Sequence, residues 1–193
     1  MRKIPAQIAD RLPAAAELFA ERGLNDTKIE DVAATTGIAK ATLYYYFAGK
    51  EEILAFLLED ALQHVAHEVT AIVEADGAAA QRLHDVISAQ LRVMAQRPAV
   101  CRALIGELGR AARMPVIANM ISTAYFEPVE TLLRAGANDR SLEALDNPRA
   151  AAIALFGAVT TSALTYLITD DTLDEDLIAR TIHDVVFTGI RPR

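Results

Sequence analysis

The sequence predicts an all-α fold of about nine helices, and three observations predict it. Apolar residues recur at i, i+3 and i+4 through most of the chain, the period of a helix with one buried face. The joints between these stretches carry helix-boundary signals: Thr27 with Glu30 and Thr172 with Glu175 have capping-box spacing, and Asn147-Pro148 offers a cap followed by proline at the first helical position. Hydrophobic residues make up 52% of 193 residues, with only nine glycines and seven prolines, which describes a folded chain with material for one or two cores.

Residues 1–5 read as a loose basic tail carrying Arg2 and Lys3. A helix is predicted over 6–22, with Ile8, Leu12, Ala15, Leu18 and Phe19 as its stripe, Pro13 kinking it or delaying its start, and Gly23 ending it. Thr27 caps the next helix, whose apolar face is Ile29, Val32 and Ala33. Gly37 turns the chain, because glycine takes positive φ without a Cβ clash. Ile38 plugs the turn, and Leu43 and Phe47 anchor the following helix on one face. Three consecutive tyrosines, Tyr44, Tyr45 and Tyr46, cannot all face a core when successive residues are about 100° apart.

Beyond Lys50 the helices lengthen. One over 50–75 has Leu54, Leu58, Ala61, Val65, Val69 and Ile72 inward, with His64 beside the stripe. Asp76-Gly77 breaks the chain. The helix over 79–96 aligns Leu83, Ile87, Leu91 and Met94 with one uncharged polar residue, Gln90. Pro98 opens a helix to about 111 with Cys101 and Leu104 inward. Met114-Pro115 starts another to about 135, through Met120, Tyr125 and Phe126, which Pro128 should bend. Residues 136–146 read as a loop. Residues 150–169 contain no charged side chain, which meets the length rule for a membrane span. Its threonines, serine and glycine and the lack of a flanking basic cluster favour instead a helix buried in a core or a subunit interface. The last helix, over 174–190, places Ile178, Ile182, Val185 and Ile190 on one side.

A lysine, a threonine and exposed tyrosine hydroxyls on a short helix behind a glycine turn suit contacts to a nucleic-acid backbone and base edges. The net charge of −7 argues the other way, but its distribution does not. Residues 1–50 carry +1 and residues 32–50 no acid at all, so local sign favours an anionic partner there. A single cysteine excludes an intrachain disulfide and, with no secretory pattern at the start, leads us to expect a cytoplasmic protein. The four histidines are scattered, and neither a catalytic triad order, a glycine-rich phosphate loop nor a metal box is present, so no enzyme, cofactor or metal is expected.

Thr27 together with Ile38-Ala39-Lys40-Ala41-Thr42-Leu43-Tyr44-Tyr45-Tyr46-Phe47 and Lys50-Glu51-Glu52-Ile53-Leu54 resembles the DNA-binding signature of TetR-family transcriptional regulators over roughly residues 8–58. The resemblance implies a helix-turn-helix DNA-binding domain at 1–49 and a helical effector-binding and dimerisation domain at 50–193. It implies a homodimer, through the last two helices, that leaves a near-palindromic double-stranded DNA operator when a small molecule binds. By it, Thr27, Lys40, Thr42, Tyr44, Tyr45 and Lys50 fall at positions that commonly touch DNA, and Lys28 and Ala41 beside them are further DNA-binding candidates. His64, Gln90, Met94, Cys101, Leu104, Met120, Tyr125 and Phe156 are the candidates to line an apolar effector site. Two residues depart from the family pattern: Ala39 stands where serine is usual and Tyr46 where histidine is common. A small-molecule-binding protein with a non-functional helix-turn-helix is the alternative.

Overall fold

A computed structural model describes residues 4–108, 115–169 and 174–190, with backbone alone for 104–108, 115–117 and 186–190. The fold is all-α, and no strand occurs among the described residues. The order is α1 (Ala6–Ala9), a 3₁₀ turn (Leu12–Ala15), α2 (Ala16–Asp26), α3 (Ile29–Thr36), α4 (Lys40–Tyr46), α5 (Lys50–Glu74), α6 (Ala79–Gln96), α7 (Pro98–Leu108), α8 (Pro115–Ile121), a π-helical turn (Ser122–Phe126), α9 (Glu127–Asp139), α10 (Pro148–Thr169) and α11 (Glu175–Ile190). Two predicted helices are each divided in two. Pro13 sits in the 3₁₀ turn, where its missing N–H is harmless, so α1 and α2 are separate. The bend expected at Pro128 is replaced by the π turn just before it. Glu127 N–H reaches back to the Ser122 carbonyl, and the chain continues into α9 in right-handed helical conformation. The tail residues Arg2 and Lys3, the cap residue Thr172 and the Met114 restart lie outside the described residues.

The chain forms two compact units. The first comprises Met1–Ala61 and Arg97–Ala118. Its core is built from Leu12, Ala15, Phe19, Val32, Leu43, Phe47, Ile53 and Leu54, all buried. Here α3 packs on the 3₁₀ turn and on α4, and α7 packs on α2. Arg102 pairs with Glu17 at 2.8 Å across that second contact. This division differs from one drawn at residue 50, since it groups the start of α5 and all of α7 with the helix-turn-helix.

The second unit comprises Leu62–Gln96 and Asn119–Arg193. In it α6 packs against α9, α10 and α11, and α10 against α9 and α11. The first two amides of α6 are capped from a distant segment: Ala79 N–H donates to the Asp139 carboxylate at 2.9 Å and Ala80 N–H to Ser141 Oγ at 3.0 Å. The Ser141 hydroxyl, then the Ala79 amide, hold the Asp139 carboxyl below its ordinary range. Asn147 caps α10 through Ala150 N–H at 3.0 Å, as its sequence predicts. At the head of α11 it is Asp174 that accepts, from Leu177 N–H at 2.9 Å.

Helix α10 is long and apolar enough to cross a membrane by length and composition, with mean hydropathy 1.8. Within the unit its burial is one-sided. Ala152, Leu155, Val159, Thr160, Ala163, Leu164 and Leu167 are buried. Ile153, Tyr166 and Ile168 face outward. On α11, Ile178 and Ile182 are buried as predicted, but Val185 is 73% exposed and joins Leu177 on the outer side.

Candidate DNA-reading surface and effector unit

The reading helix α4 is oriented by its two anchors. Leu43 and Phe47 are buried to 0% and 1%, so the residues between them turn outward. Tyr44 and Tyr45 are 53% and 59% exposed, unusual for aromatic side chains of a small protein. Tyr46 is half-buried and stacks edge-on against Tyr45 at 4.9 Å. Ala41 is exposed and Thr42 half-buried. Gly37 ends α3 with φ 64°, ψ 16°, the left-handed conformation expected of it. Arg11 Nε donates to the Thr36 carbonyl at 2.9 Å beside it. A Cβ at position 37 would run into the Arg11 guanidinium, so the turn has no room for a side chain without moving that cap.

Three predicted contacts are reassigned by the geometry. Thr27 is fully buried, and its hydroxyl donates to the Gly23 carbonyl at 2.7 Å and the Leu18 carbonyl at 3.2 Å. It fastens α3 to the end of α2 and does not face a DNA partner. The capping interaction of α3 lies one residue later, with Asp31 accepting from Lys28 N–H at 3.4 Å. Glu30, released from that duty, pairs with Lys40. Lys50 is half-buried, and its ammonium donates to the Asn25 and Thr27 carbonyls at 2.7 and 2.9 Å. It therefore caps the carboxyl end of α2 rather than lying free as a phosphate clamp.

Lys40 remains on the outer face, near the Tyr44 ring at 5.8 Å. The hydrogen bond between Lys40 and Glu30 holds the Glu30 carboxyl below, and the Lys40 ammonium above, their ordinary values. The acid-free stretch of the sequence is thus not acid-free in space. Lys28 is exposed. The outer face of α3 and α4 therefore presents Lys28, Lys40, Ala41, Thr42, Tyr44 and Tyr45. Charged donors and phenolic hydroxyls are the groups that meet phosphate, and ring faces and the Thr42 methyl suit sugar and thymine.

The effector candidates divide between the two units. Gln90, Met94 and Tyr125 are buried in the second unit, and Phe156 and Met120 are half-buried there. Tyr125, Phe126 and Phe156 form an edge-to-face aromatic cluster with centroids 5.2–6.3 Å apart. His64 is exposed on α5, so the reading that placed it toward a pocket is corrected. Cys101 belongs to the first unit, in α7 against α2. Burial pushes its thiol up to about 12 against the opposing pull of Arg97 and Arg102, which leaves it a neutral core residue at physiological pH. Leu104 is in α7, with its side chain outside those described. Among the described residues no group of three or more His, Cys, Asp or Glu side chains converges to hold a metal.

An all-helical chain whose second turn-linked helix is anchored by two apolar residues and presents lysine, threonine and tyrosine outward defines a helix-turn-helix DNA-binding regulator. The family model described as bacterial regulatory proteins, tetR family, matches residues 12–56, which hold α3, its turn and α4. The chain is 22% identical over 182 residues to the fatty acid metabolism regulator protein of Bacillus subtilis, covering 93% of each. It is 31% identical over 119 residues to the HTH-type transcriptional repressor KstR2 of Mycobacterium tuberculosis, covering 60% of each. Its fold superposes on the transcriptional regulator FadR from Bacillus subtilis, solved in complex with stearoyl-CoA, with a TM-score of 0.79 and 22% identity over 96% of this chain and 98% of that one. Residues 12–56 thus carry the helix-turn-helix of the tetR family of bacterial regulatory proteins, and the chain is similar over most of its length to a regulator of fatty acid metabolism.

Proposed function

We propose that this regulator is a homodimeric, cytoplasmic repressor without enzymatic activity, released from a near-palindromic operator by a small apolar or amphipathic molecule. The observation that carries the DNA-reading part is the exposed Tyr44–Tyr45 pair beside Lys40 on a helix fixed from behind by Leu43 and Phe47. The division of labour we infer is reading by residues 1–49 and effector binding and dimerisation by 50–193.

Dimerisation is supported by the outer faces of α10 and α11. Ile153, Tyr166 and Ile168 on one, and Leu177 and Val185 on the other, remain exposed in a single chain. A second copy placed on them covers that apolar surface, and a two-fold pair of reading helices is what a near-palindromic operator requires. The α10 composition fits this use as well as it fits a membrane, and the outward threonines Thr161 and Thr165 favour the former. The effector reading draws on the relative crystallised with stearoyl-CoA and on the apolar lining offered by Met94, Met120, Tyr125 and Phe156. An effector acts only through its different affinity for the DNA-competent and released arrangements.

One observation favours a second reading, a ligand-binding protein whose helix-turn-helix binds DNA poorly. Both Lys40 and Lys50 are engaged within the chain, by Glu30 and by the α2 carbonyls. Selection of bound fragments from the source genome by purified protein, followed by a salt titration of the best fragment, separates the two. The repressor reading requires an enriched near-palindrome with a steep salt slope, and loss of binding on adding an effector such as stearoyl-CoA. A folded dimer that enriches nothing at low salt sinks it.

A further inference from the structure

Buried polar groups are almost always hydrogen-bonded, so each exception asks for a reason. The second unit holds four such atoms among the described residues, and two of them belong to side chains that meet neighbouring turns of α10. Gln90 is 2% exposed and its Nε2 donates to Thr160 Oγ1 at 2.8 Å, but its Oε1 is buried with no partner among the described residues. Tyr125 is 1% exposed, and its hydroxyl likewise has none. The two are brought together by α10. Tyr125 stacks on Phe156 at 5.2 Å, and Gln90 bonds Thr160, one helical turn further on the same face. Tyr125 also lies inside the π turn, a helical widening that recurs at functional sites.

The charge census of the site restricts what could satisfy these atoms. Among the described residues the only buried polar or charged side chains are Thr27, Thr36, Gln90 and Thr160. Among the described residues no lysine or arginine is fully buried to compensate an anion beside Gln90: Arg82, whose Nε is buried, lies two helical turns back along α6 and donates to the Val73 carbonyl at 2.6 Å. An unpaired buried charge is far costlier than a buried hydroxyl. Gln90 Oε1 is an acceptor only, so its partner must bring an O–H or N–H. The Tyr125 hydroxyl can donate to an oxygen. We propose that Gln90 and Tyr125 are the polar determinants of the effector site, and that the part of the effector they hold is a neutral hydroxyl-bearing group on an otherwise apolar molecule. This rests on the effector-responsive reading above. An acidic or phosphorylated portion of any such ligand stays outside this cluster.

The test uses full-length protein and three matched probes: decan-1-ol, its methyl ether and decanoate. Wild type should bind the alcohol about tenfold more tightly than the ether, which has no donor for Gln90, and decanoate more weakly than the alcohol. Gln90→Met should abolish the alcohol-over-ether preference. Tyr125→Phe should weaken alcohol and ether alike by about tenfold while leaving their ratio intact, with ring packing preserved. A purely structural role for either side chain changes melting temperature but not these ratios. The proposal is overturned by equal binding of alcohol and ether to wild type, by binding of neither, by a preference for decanoate, or by an alcohol preference that survives Gln90→Met. Operator binding by the same preparations, measured without probe, reports separately on the regulator reading: its loss in wild type would sink that reading, and its retention in any of the overturning outcomes leaves that reading standing.

Discussion

The two compact units treat their interior polar groups in opposite ways. In the first, Thr27 reaches two carbonyls, Thr36 Oγ1 donates to the Val32 carbonyl at 2.7 Å and accepts from Ile38 N–H at 3.3 Å, and Arg11 and Lys50 cover the carbonyl ends of α3 and α2. In the second, four side-chain atoms lie buried without a partner among the described residues: Arg82 Nε, His84 Nδ1, Gln90 Oε1 and Tyr125 Oη. Fully satisfied polar contacts fix one geometry, as a surface that must match a duplex requires. Open donors and acceptors inside an apolar unit leave stability unused, and a ligand can supply it.

Substitutions can break this contrast or sharpen it. Leu43→Ala removes the buried anchor of α4 and should cost about 2–5 kcal/mol in urea unfolding, with loss of operator binding. Thr27→Val keeps the shape but leaves its two carbonyl contacts unmade, and should cost about 1–2 kcal/mol. If it is neutral, the first unit is less dependent on its polar fasteners than the contrast requires. Lys50→Met should cost about 1 kcal/mol, with a salt slope of DNA binding changed by less than one unit, because its ammonium is committed to α2. A full unit of change would restore Lys50 to the phosphate contacts.

Glu30→Gln frees Lys40 and should tighten DNA binding a few-fold with a slightly steeper salt slope. Acidification is a poor substitute for that mutation. The Glu30 carboxyl is held below its ordinary 4.5, so the pairing is complete above that pH and is lost only as pH falls through the lowered folded value; operator affinity between pH 6 and 8 should not change through this pair. Tyr125→Phe, the smallest effect, should leave the ligand-free melting temperature unchanged or slightly raised, because it deletes a buried hydroxyl without a partner.

What the sequence made legible was local. Gly37, Ile38, Leu43 and Phe47 are placed by spacings of one helical turn or less, and all four behave as read. Gln90 stood out as a polar residue in an apolar stripe, and it is buried as that pattern implies. The contacts that it did not show share a different cause. Lys50 and Arg11 each act on a carbonyl about 25 positions away, a distance over which no periodicity reports. Thr27 and Glu30 have perfect capping-box spacing, but Lys28 and Asp31 have a serviceable one a residue later, and burial of the Thr27 hydroxyl on α2 decides between them. Lys40 looked isolated from acids because Glu30 is ten residues back, yet a turn between two short helices folds that distance to nothing. His64 fell near the apolar stripe of α5, and a 25-residue helix leaves its outer flank in water all the same. Val185 follows the same logic on α11 if its surface awaits a second copy.

The burial of Cys101 has a practical corollary. It is the chain's one cysteine, and a thiol raised to about 12 is almost wholly protonated at pH 7 and screened from reagents. The native protein therefore starts as a blank for maleimide chemistry. A Tyr45→Cys variant would carry a single addressable label on each reading helix, with no need to remove the native residue first. The label-to-label distance in an assembled pair, followed as effector is added in the absence of DNA, would then test whether the two reading helices change their separation.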